Sequence, residues 1–295
     1  MDRNLDNEST TSSISRRSFI TKGSLGVAAV AAGGGLLLAG CGSANSSGAP
    51  AASTSGHSLL DQIIASKKIR IGLLVANPPY GTYDSNNNPI GYDMDITNMV
   101  AKDLGATPVL TVLPDSATRI TALVSGRIDL VVAAFTMTAA RSEAVAFTIP
   151  YGPDTQVLLG RKSDTSLHTY LDYDGKKIAI TAGSTQEILA QLNPKVNVTR
   201  FPDDATGYQA FVTGQVDGWV GQGETVAHYV SLAPTEYESK GLVTQGYLCL
   251  GTQRGDLEWL RWLNDCLYYH GGQGQIAALY KKWFEIDMPR ILPNY

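Results

Sequence analysis

Residues 117–135 read ATRITALVSGRIDLVVAAF and contain two segments of different character. Positions 117–125 have the spacing of a short helix, whereas positions 128–135 form a largely apolar run. A strand that is apolar along its whole length is buried on both faces, as in a parallel sheet covered by helices. This stretch therefore predicts a helix that leads into a buried strand of an α/β fold.

The same alternation extends in both directions from this stretch. The other predicted strands are 68–75, 107–113, 177–181, 196–201 and 216–220. The other predicted helices are 92–104, 185–192 and a segment that ends at residue 212. The alternation of strands and helices occurs once at 68–135 and again at 177–220. This predicts two α/β lobes, each a mostly parallel sheet flanked by helices. Ligands of open α/β sheets bind at the carboxyl ends of the strands, so we expect the functional site there.

The N-terminal region has the pattern of an export signal. A twin-arginine pair, Arg16 and Arg17, precedes a weakly apolar run at 25–38, which contains several glycines and is too short for a membrane-spanning helix. The run ends in Leu38-Ala39-Gly40-Cys41, which resembles the lipobox of bacterial lipoproteins. The resemblance implies that residues 1–40 are removed and that Cys41 carries lipid. We expect a protein anchored to a bacterial membrane on its extracytoplasmic side, in the periplasm or at the cell surface.

Composition limits the other functional classes. Residues 41–57 are rich in Ser, Ala and Gly, which predicts a flexible tether in front of a folded domain that starts at residue 58. The formal net charge of the chain is −4 and there is no basic stripe, so nucleic acid is not an expected partner. We expect a monomer that uses no cofactor.

Two cysteines follow Cys41, and their state is open at this stage. Cys249 lies in a strand-like run and Cys266 in the amphipathic helix that follows. A disulfide between them is one alternative in an oxidising compartment, and two buried free thiols are the other. No metal site is expected, because the four histidines show neither paired spacing nor neighbouring cysteines. These histidines are His57, His168, His228 and His270.

Several short motifs follow one another in the order and spacing of a known family. Those of the first half are Ile69-Arg70-Ile71-Gly72, Pro78-Pro79-Tyr80, Gly91-Tyr92-Asp93-Met94-Asp95-Ile96, Leu123 to Asp129, Thr136-Met137-Thr138 with Arg141, and Phe147-Thr148-Ile149-Pro150-Tyr151. Those of the second half are Gly175-Lys176-Lys177, Gly183-Ser184-Thr185-Gln186-Glu187, Gly214-Gln215-Val216-Asp217 and Lys282-Trp283-Phe284. Together they make residues 66–286 resemble the solute-binding proteins of ABC importers for polar amino acids.

The resemblance implies a two-lobed clamshell with the ligand in the cleft between the lobes. The chain then crosses between lobes twice, and we expect the crossings near 151–157 and 244–247. The first lobe would contain 58–153 and 247–295, and the second would contain 154–246. A membrane-bound ABC permease is the implied partner.

The resemblance also implies where the ligand is held. A guanidinium pairs bidentately with a carboxylate, and family members use the position of Arg141 for the α-carboxylate of the ligand, here with Thr136 beside it. Ser184 and Thr185 open the first helix of the second lobe, where free N–H groups favour a carboxylate oxygen. Further expected contacts are Asn77, Ala134 and two rings that fit either an aromatic wall or the core, Tyr80 and Trp219.

One position departs from the family pattern. An acidic residue usually stands five positions after the aspartate of the Gly-x-Val-Asp motif and binds the ligand's ammonium, but Gln222 occupies this position here. An amide cannot neutralise an ammonium in a closed cleft, so either Glu224 substitutes or the ligand has no ammonium. Leu74, Asn77 and Ser116 replace the acidic or aromatic groups of binders of basic amino acids, which disfavours cationic side chains.

We therefore expect a solute-binding lipoprotein that captures a small polar solute with a carboxylate, an amino acid or a derivative, for an ABC import permease. Two alternatives remain open. One is an enzyme on the same scaffold, similar to the cyclohexadienyl dehydratases, with Glu224 as its acid. The other is a binding protein for an organic acid that lacks an ammonium group.

Overall fold

The computed structural model of the protein describes residues 58–291. The predicted signal segment and tether lie outside these residues, as do Cys41 and His57. Within the described range, no helix has the length and apolar character that crossing a bilayer requires.

Strands and helices alternate through most of the described chain. The strands are β1 (Lys68–Leu73), β2 (Thr82–Tyr83), β3 (Pro89–Ile90), β4 (Thr107–Val112), β5 (Leu130–Val131), β6 (Ala146–Arg161), β7 (Lys177–Thr181), β8 (Asn197–Phe201), β9 (Gly218–Gln222) and β10 (Tyr237–Thr252). The α-helices are α1 (Leu59–Ser66), α2 (Tyr92–Asp103), α3 (Thr118–Val124), α4 (Ala139–Ser142), α5 (Leu189–Leu192), α6 (Asp204–Val212), α7 (Gly223–Leu232), α8 (Leu257–Gly272) and α9 (Gln275–Phe284). Two 3-10 helices lie at Tyr170–Asp172 and Thr185–Ile188.

One sheet of eight strands runs through the molecule in the order β4-β1-β5-β10-β6-β9-β7-β8. At one end β1 is parallel to β4 and β5, and at the other end β7 is parallel to β8 and β9. We call the part around β1, β4 and β5 the first lobe and the part around β7, β8 and β9 the second lobe. The fold is thus the predicted two-lobed α/β architecture, except that the parallel strands of the two lobes belong to one continuous sheet, with helices on both of its sides.

Two long strands join the lobes. β6 and β10 pair with each other in antiparallel register from Tyr237 opposite Arg161 to Thr252 opposite Ala146. β10 also pairs with β5 of the first lobe, and β6 with β9 of the second. The crossings expected near 151–157 and 244–247 fall inside these two strands, while the exact lobe boundaries stay a prediction.

The apolar run at 128–135 explains how the first lobe packs. Leu130 and Val132 lie in the core formed with α2, α8 and α9, whereas Val131 and Ala133 lie in the core formed with α3. Successive side chains of an extended chain point to opposite faces, so an all-apolar run serves both cores at once. The second lobe repeats this arrangement, with Ile178 in one core and Ala179 in the other.

Side-chain caps set where several helices begin. Ser58 caps α1, Asp203 caps α6 and Asp256 caps α8 by accepting backbone N–H groups of the first turn. Such a cap stabilises a helix by about 1 kcal/mol. Asp256 also accepts hydrogen bonds from the Ser58 hydroxyl and the Leu59 N–H, which holds α1 against the start of α8.

Three predicted elements differ clearly from those observed. The strand predicted at 216–220 lies two residues later, at Gly218–Gln222. The strand predicted at 128–135 is observed only as Leu130–Val131, and beyond it the backbone turns at Ala134, whose φ is 43°. The Ala134 N–H donates instead to the carboxylate of Asp93. The helix predicted at 185–192 is split into the 3-10 turn Thr185–Ile188 and α5, since the first turn is tightened by the Ser184 cap on the Gln186 N–H.

The disulfide considered for Cys249 and Cys266 is not formed. Both thiols are free and buried. Cys249 lies within β10, where its N–H donates to the carbonyl of Phe135. The Cys266 Sγ is instead directed to Asp103 at the end of α2, 3.7 Å from Oδ2. The two cysteines therefore serve different parts of the first lobe, and the free-thiol alternative is correct.

Candidate functional site

A small cavity lies between the lobes, at the carboxyl ends of the strands. Its walls come from the segments that follow β1, β4, β5, β7 and β8 and from the last residue of β9, as expected for an open α/β sheet. Most of the ligand contacts expected from the sequence line it. These are Asn77, Ala134, Thr136, Ser184, Thr185 and Gln222.

Arg119 is a buried charge at this cavity that sequence reasoning missed. It lies on α3 and is only 3% exposed. Its Nη1 donates to the carbonyls of Ala133 and Ala134 at 2.9 and 3.1 Å, and its Nε donates to Ser116. Burial and the nearby charge of Arg141 lower the pKa of Arg119 to about 9, which leaves the guanidinium charged at neutral pH. In the sequence, an arginine within a short predicted helix is typical of the exposed face of that helix. No pattern therefore identified Arg119 as a residue of the site.

Asp204 supplies the opposite charge from the second lobe. It is the first residue of α6, it lines the cavity, and it is 7% exposed. Its Oδ1 accepts a hydrogen bond of 2.6 Å from the Thr181 hydroxyl. Burial raises the pKa of Asp204 to about 6, although hydrogen bonds from Thr181 and Gln186 act in the other direction. Its position directly after a strand was the signal that could have found it.

Gln222 belongs to a network of polar groups centred on Asp154. Gln222 accepts from Asn77 at 2.6 Å and donates to Asp154 at 3.2 Å. Thr136 and Gln156 also donate to this carboxylate, each at 2.7 Å. Asp154 is almost fully buried, and this burial raises its pKa. The acid near Gln222 is therefore Asp154, a hinge-strand residue that the sequence analysis did not single out.

Gln156 leaves one acceptor without a partner. Its side-chain nitrogen is bound to Asp154, while its buried Oε1 has no hydrogen-bond partner among the described residues. Gln156 also lines the cavity. Buried acceptors are usually satisfied, so an unpaired one at a cavity wall marks a place where a donor can bind.

Arg141 lies next to this cavity, in a wider groove that shares Thr136, Ser184 and Thr185 with it. Its guanidinium donates to the carbonyl of Thr136 at 2.7 Å and to that of Gly183, in the second lobe, at 2.9 Å. Arg141 and Arg119 both lie over the Phe135 ring, 5.1 and 4.8 Å from its centre. Burial lowers the pKa of Arg141, and the Asp154 charge partly offsets this.

Glu224 lies outside the cavity, contrary to the role considered for it. Its two carboxylate oxygens accept hydrogen bonds from the hydroxyls of Tyr80 and Tyr280, at 2.8 and 2.6 Å. α7 begins at Gly223, directly after the cavity-lining Gln222, and carries Glu224 towards these first-lobe tyrosines. Glu224 thus contacts the first lobe across the cleft instead of facing the cavity.

The two expected aromatic walls are core residues. Tyr80 is 1% exposed and packs with Tyr92 and Phe284 in the first lobe. Trp219 is fully buried in the second lobe against Tyr208 and Tyr229. Neither ring lines the cavity, because both face the helices that cover the sheet.

A second, larger cavity of about 170 Å³ adjoins the first. The two share Leu74, Asn77, Ser116, Thr181 and Asp204. Most of the remaining wall of the larger cavity is apolar and consists of Val75, Ala76, Val112, Leu113, Pro114 and Pro202. The site therefore combines a charged compartment with a mainly apolar one.

One group of possible metal ligands lies away from the cleft. Asp103, Cys266 and His270 place one ligand atom each within 4.8 Å of one another in the first lobe. Cys266 precedes His270 by one helical turn of α8, so the expectation that no histidine has a cysteine neighbour was wrong. The four-residue spacing was visible in the sequence, whereas the approach of Asp103 was not.

Comparisons with known proteins agree with this architecture. The family model described as "Bacterial extracellular solute-binding proteins, family 3" matches residues 69–286. The chain is 25% identical to a putative ABC transporter arginine-binding protein 2 of Escherichia coli K12, over 75% of this chain and 92% of that protein. It is 27% identical to the ABC transporter glutamine-binding protein GlnH of Bacillus subtilis, over 85% of this chain and 93% of that protein.

Solved structures show the same fold. An ancestral amino acid-binding protein, AncCDT-1, described as a precursor of cyclohexadienyl dehydratase, superimposes with a TM-score of 0.72 at 29% identity, over 76% of this chain and 99% of that one. The holo arginine-binding protein of T. maritima gives a TM-score of 0.68 at 26% identity, over 76% of this chain and 99% of that one.

Proposed function

Because this chain belongs to the bacterial extracellular solute-binding proteins of family 3, we propose that it captures a zwitterionic amino acid with an uncharged side chain and delivers it to an ABC permease. Arg119 and Asp204 carry the proposal. They bring opposite charges to one cavity from opposite lobes. A ligand with a carboxylate and an ammonium neutralises both, whereas a simple anion or cation leaves one buried charge unpaired, which is costly.

The carboxylate is assigned to the arginine side of the cavity. Two guanidinium groups lie over the Phe135 ring, and the charge of Arg141 lowers the pKa of Arg119. An anion between them relieves this repulsion and accepts charge-assisted hydrogen bonds. Ser184 and Thr185 line both the cavity and the groove of Arg141, which supports the predicted contact with a carboxylate oxygen.

The ammonium is assigned to Asp204, with the unpaired Oε1 of Gln156 as a further acceptor. This assignment replaces Glu224, whose oxygens are already bound by two tyrosines. The side chain of the solute extends into the apolar neighbouring cavity. An uncharged side chain fits there, because a cationic one would be surrounded by the apolar residues Val112, Leu113 and Pro114. Apart from Asp204, the acid in the lining of this cavity is Asp203, which caps α6.

Ligand binding is coupled to closure of the lobes. Contacts to the solute from both lobes favour the closed state over the open one, which is how two-lobed proteins close around a ligand. The protein is proposed to act as a monomer on the extracytoplasmic side of the membrane, held by lipid on Cys41 and the tether behind it. A closed, loaded form is then available to the permease.

Calorimetry with matched ligands tests this function. A panel of neutral α-amino acids and their deaminated 2-oxo or 2-hydroxy analogues is titrated into the wild type, Asp204→Asn and the control Asp174→Asn, an exposed acid of the second lobe that pairs with Lys195. We expect an amino acid to bind the wild type and Asp174→Asn, and to lose at least about 30-fold in affinity with Asp204→Asn. Tighter binding of the deaminated acid by the wild type would instead favour the organic-acid alternative.

An enzyme on this scaffold remains a second candidate. Asp204 is a buried acid at the cavity with a pKa of about 6, which suits a general acid, and AncCDT-1 is described as a precursor of a dehydratase. Incubation of each bound ligand with the protein, followed by product analysis, decides between the two. Recovery of the unchanged ligand supports binding alone.

A further inference from the structure

The end of α2 and the second half of α8 bring three different metal-ligating side chains together, outside the lining of the cavity between the lobes. The His270 Nε2 lies 2.7 Å from Asp103 Oδ2, and the Cys266 Sγ lies 3.7 Å from the same oxygen. Cys266 and His270 are 6% and 7% exposed, whereas Asp103 is exposed. None of the three lines the cavity between the lobes.

The geometry of α8 orients two of these groups. Residues four positions apart lie on the same face of a helix, one turn from each other. Cys266 and His270 therefore point in the same direction, towards the last residue of α2. The third group, Asp103, is exposed to solvent.

Gln275, at the start of α9, orients the imidazole. Its Oε1 lies within hydrogen-bonding distance of His270 Nδ1. Gln275 Oε1 as the acceptor corresponds to a proton on Nδ1, which is the tautomer in which Nε2 can ligate a metal. A hydrogen-bonded carbonyl behind a histidine is also the usual support of a metal-binding imidazole.

We propose that Asp103, Cys266 and His270 bind a zinc ion through Oδ2, Sγ and Nε2, with water in the fourth position. A mixed set of one thiolate, one imidazole and one carboxylate suits Zn²⁺ better than the hard ions Mg²⁺ or Ca²⁺, which take oxygen ligands. Binding displaces the Cys266 thiol proton to solvent and leaves a zinc–thiolate bond. The site goes beyond solute capture and does not depend on it.

Such a site would join α2 to α8 within the first lobe and leave the cleft unchanged. Metal bound to the folded but not to the unfolded chain raises stability by mass action. Zinc is therefore expected to raise the melting temperature of the protein without altering its affinity for the solute. The competing interpretation is an ion pair between a protonated His270 and Asp103, with no metal.

Cobalt absorption tests the site directly. The full chain carrying Cys41→Ala, which leaves the two thiols of the described region, is stripped with a chelator and titrated with Co²⁺, whose bond to a thiolate gives a near-ultraviolet charge-transfer band. We expect the band in this background and in the controls Cys249→Ala and His168→Gln. It should vanish in Cys266→Ser and require at least tenfold more Co²⁺ in His270→Gln and in Asp103→Asn.

Competition and melting curves complete the test. Zn²⁺ should remove the cobalt band and raise the melting temperature, with neither effect in Cys266→Ser. Because Asp103 is exposed, Asp103→Asn is expected to fold even if a buried substitution does not, and circular dichroism checks each variant. A folded background protein with no band and no zinc-dependent shift would leave only the ion pair, and a band lost in Cys249→Ala instead of Cys266→Ser would place the metal elsewhere. Solute affinity, measured in parallel, tests the proposed function separately.

Discussion

Asp204 shows how a single buried acid links binding to stability. A carboxyl group is normally ionised well below neutral pH, with a pKa near 3.9, and burial raises that of Asp204 to about 6. Its burial is unfavourable for the charged form, and the charged form is the one that pairs with an ammonium. Groups that serve binding in this way often lower the stability of the free protein.

We expect solute affinity to fall below pH 6. As the pH drops through about 6, Asp204 of the free protein takes up a proton and no longer attracts an ammonium, and the loss approaches tenfold per pH unit. Calorimetry between pH 5 and pH 8 should show this slope in the wild type and a flat profile in Asp204→Asn. An equal slope in both proteins would assign the titration to another group.

The same substitution should stabilise the ligand-free protein at pH 7. Between pH 3.9 and pH 6 the folded state holds more protons on Asp204 than the unfolded state, so stability falls as the pH rises and the full loss persists above pH 6. Asp204→Asn removes this unfavourable charge, and we expect a gain on the order of 1–3 kcal/mol in denaturant melts. The gain should shrink towards pH 4, and its absence at pH 7 would mean that the charge is better compensated than its burial indicates.

Arg141 is the second residue whose proposed contact with the solute can be tested by substitution. Removing a charge-assisted partner of the solute carboxylate costs on the order of 2–5 kcal/mol, so Arg141→Ala should abolish detectable binding. The melting temperature of the free protein should change little, because among the described residues the guanidinium donates to two backbone carbonyls and lies over the Phe135 ring, without an ion pair. Arg127→Ala, an exposed arginine of the same lobe, is the control for both measurements. Retained affinity in Arg141→Ala would assign the carboxylate to Arg119 alone.

At the level of elements, α7 is one part of the second lobe that contacts the first lobe across the cleft. Its Glu224 accepts hydrogen bonds from Tyr80 and from Tyr280 of α9, and its Thr225 donates to Asn77 at 2.8 Å. All three partners belong to the first lobe. These bonds exist only when the lobes are together, so they favour closure without touching the solute.

Glu224→Gln should therefore weaken binding of every ligand by a similar factor. Replacing a carboxylate by an amide weakens two charge-assisted hydrogen bonds of the closed state, and we expect a loss of about threefold to thirtyfold. The preference for an amino acid over its deaminated analogue should stay as in the wild type. Small-angle scattering of the ligand-free variant should show a larger radius of gyration. A selective loss of the amino acid would instead mean that Glu224 contacts the ammonium.

For the whole molecule, the proposed anchor and the fold act together. A solute-binding domain tethered behind a lipid remains close to the permease while its two lobes open and close. The long strands β6 and β10 connect both lobes within one sheet, so closure has to be accommodated within them or at their ends.

The anchor is testable in a host that processes lipoproteins. We expect Cys41→Ala to move the protein from the membrane fraction to the soluble exported fraction, because the acyl chains supply the membrane affinity. Solute affinity should not change. Cys249→Ala serves as the control for loss of a thiol, and unchanged membrane association of Cys41→Ala would contradict lipid attachment at this residue.

Local pattern determined the fold and much of the cavity. The run at 128–135 predicted a buried strand, and the strand at 177–181 begins and ends as predicted, since apolar periodicity is a property of neighbouring residues. Residues that directly follow strands lie at the edge of the sheet wherever the strand goes. The family resemblance implied ligand contacts at Asn77, Thr136, Ser184 and Gln222, and all four line the cavity at this edge.

Only the tertiary structure decided which charges face one another. Arg119 reaches the cavity because α3 packs against the sheet, and Glu224 leaves it because α7 turns towards the first-lobe tyrosines. Asp103 and Cys266 are 163 positions apart, and their contact depends on how α2 and α8 pack in the first-lobe core. Where a helical side chain points depends on how the whole helix packs. Packing also brings into contact residues that lie far apart in the sequence and that no local pattern relates.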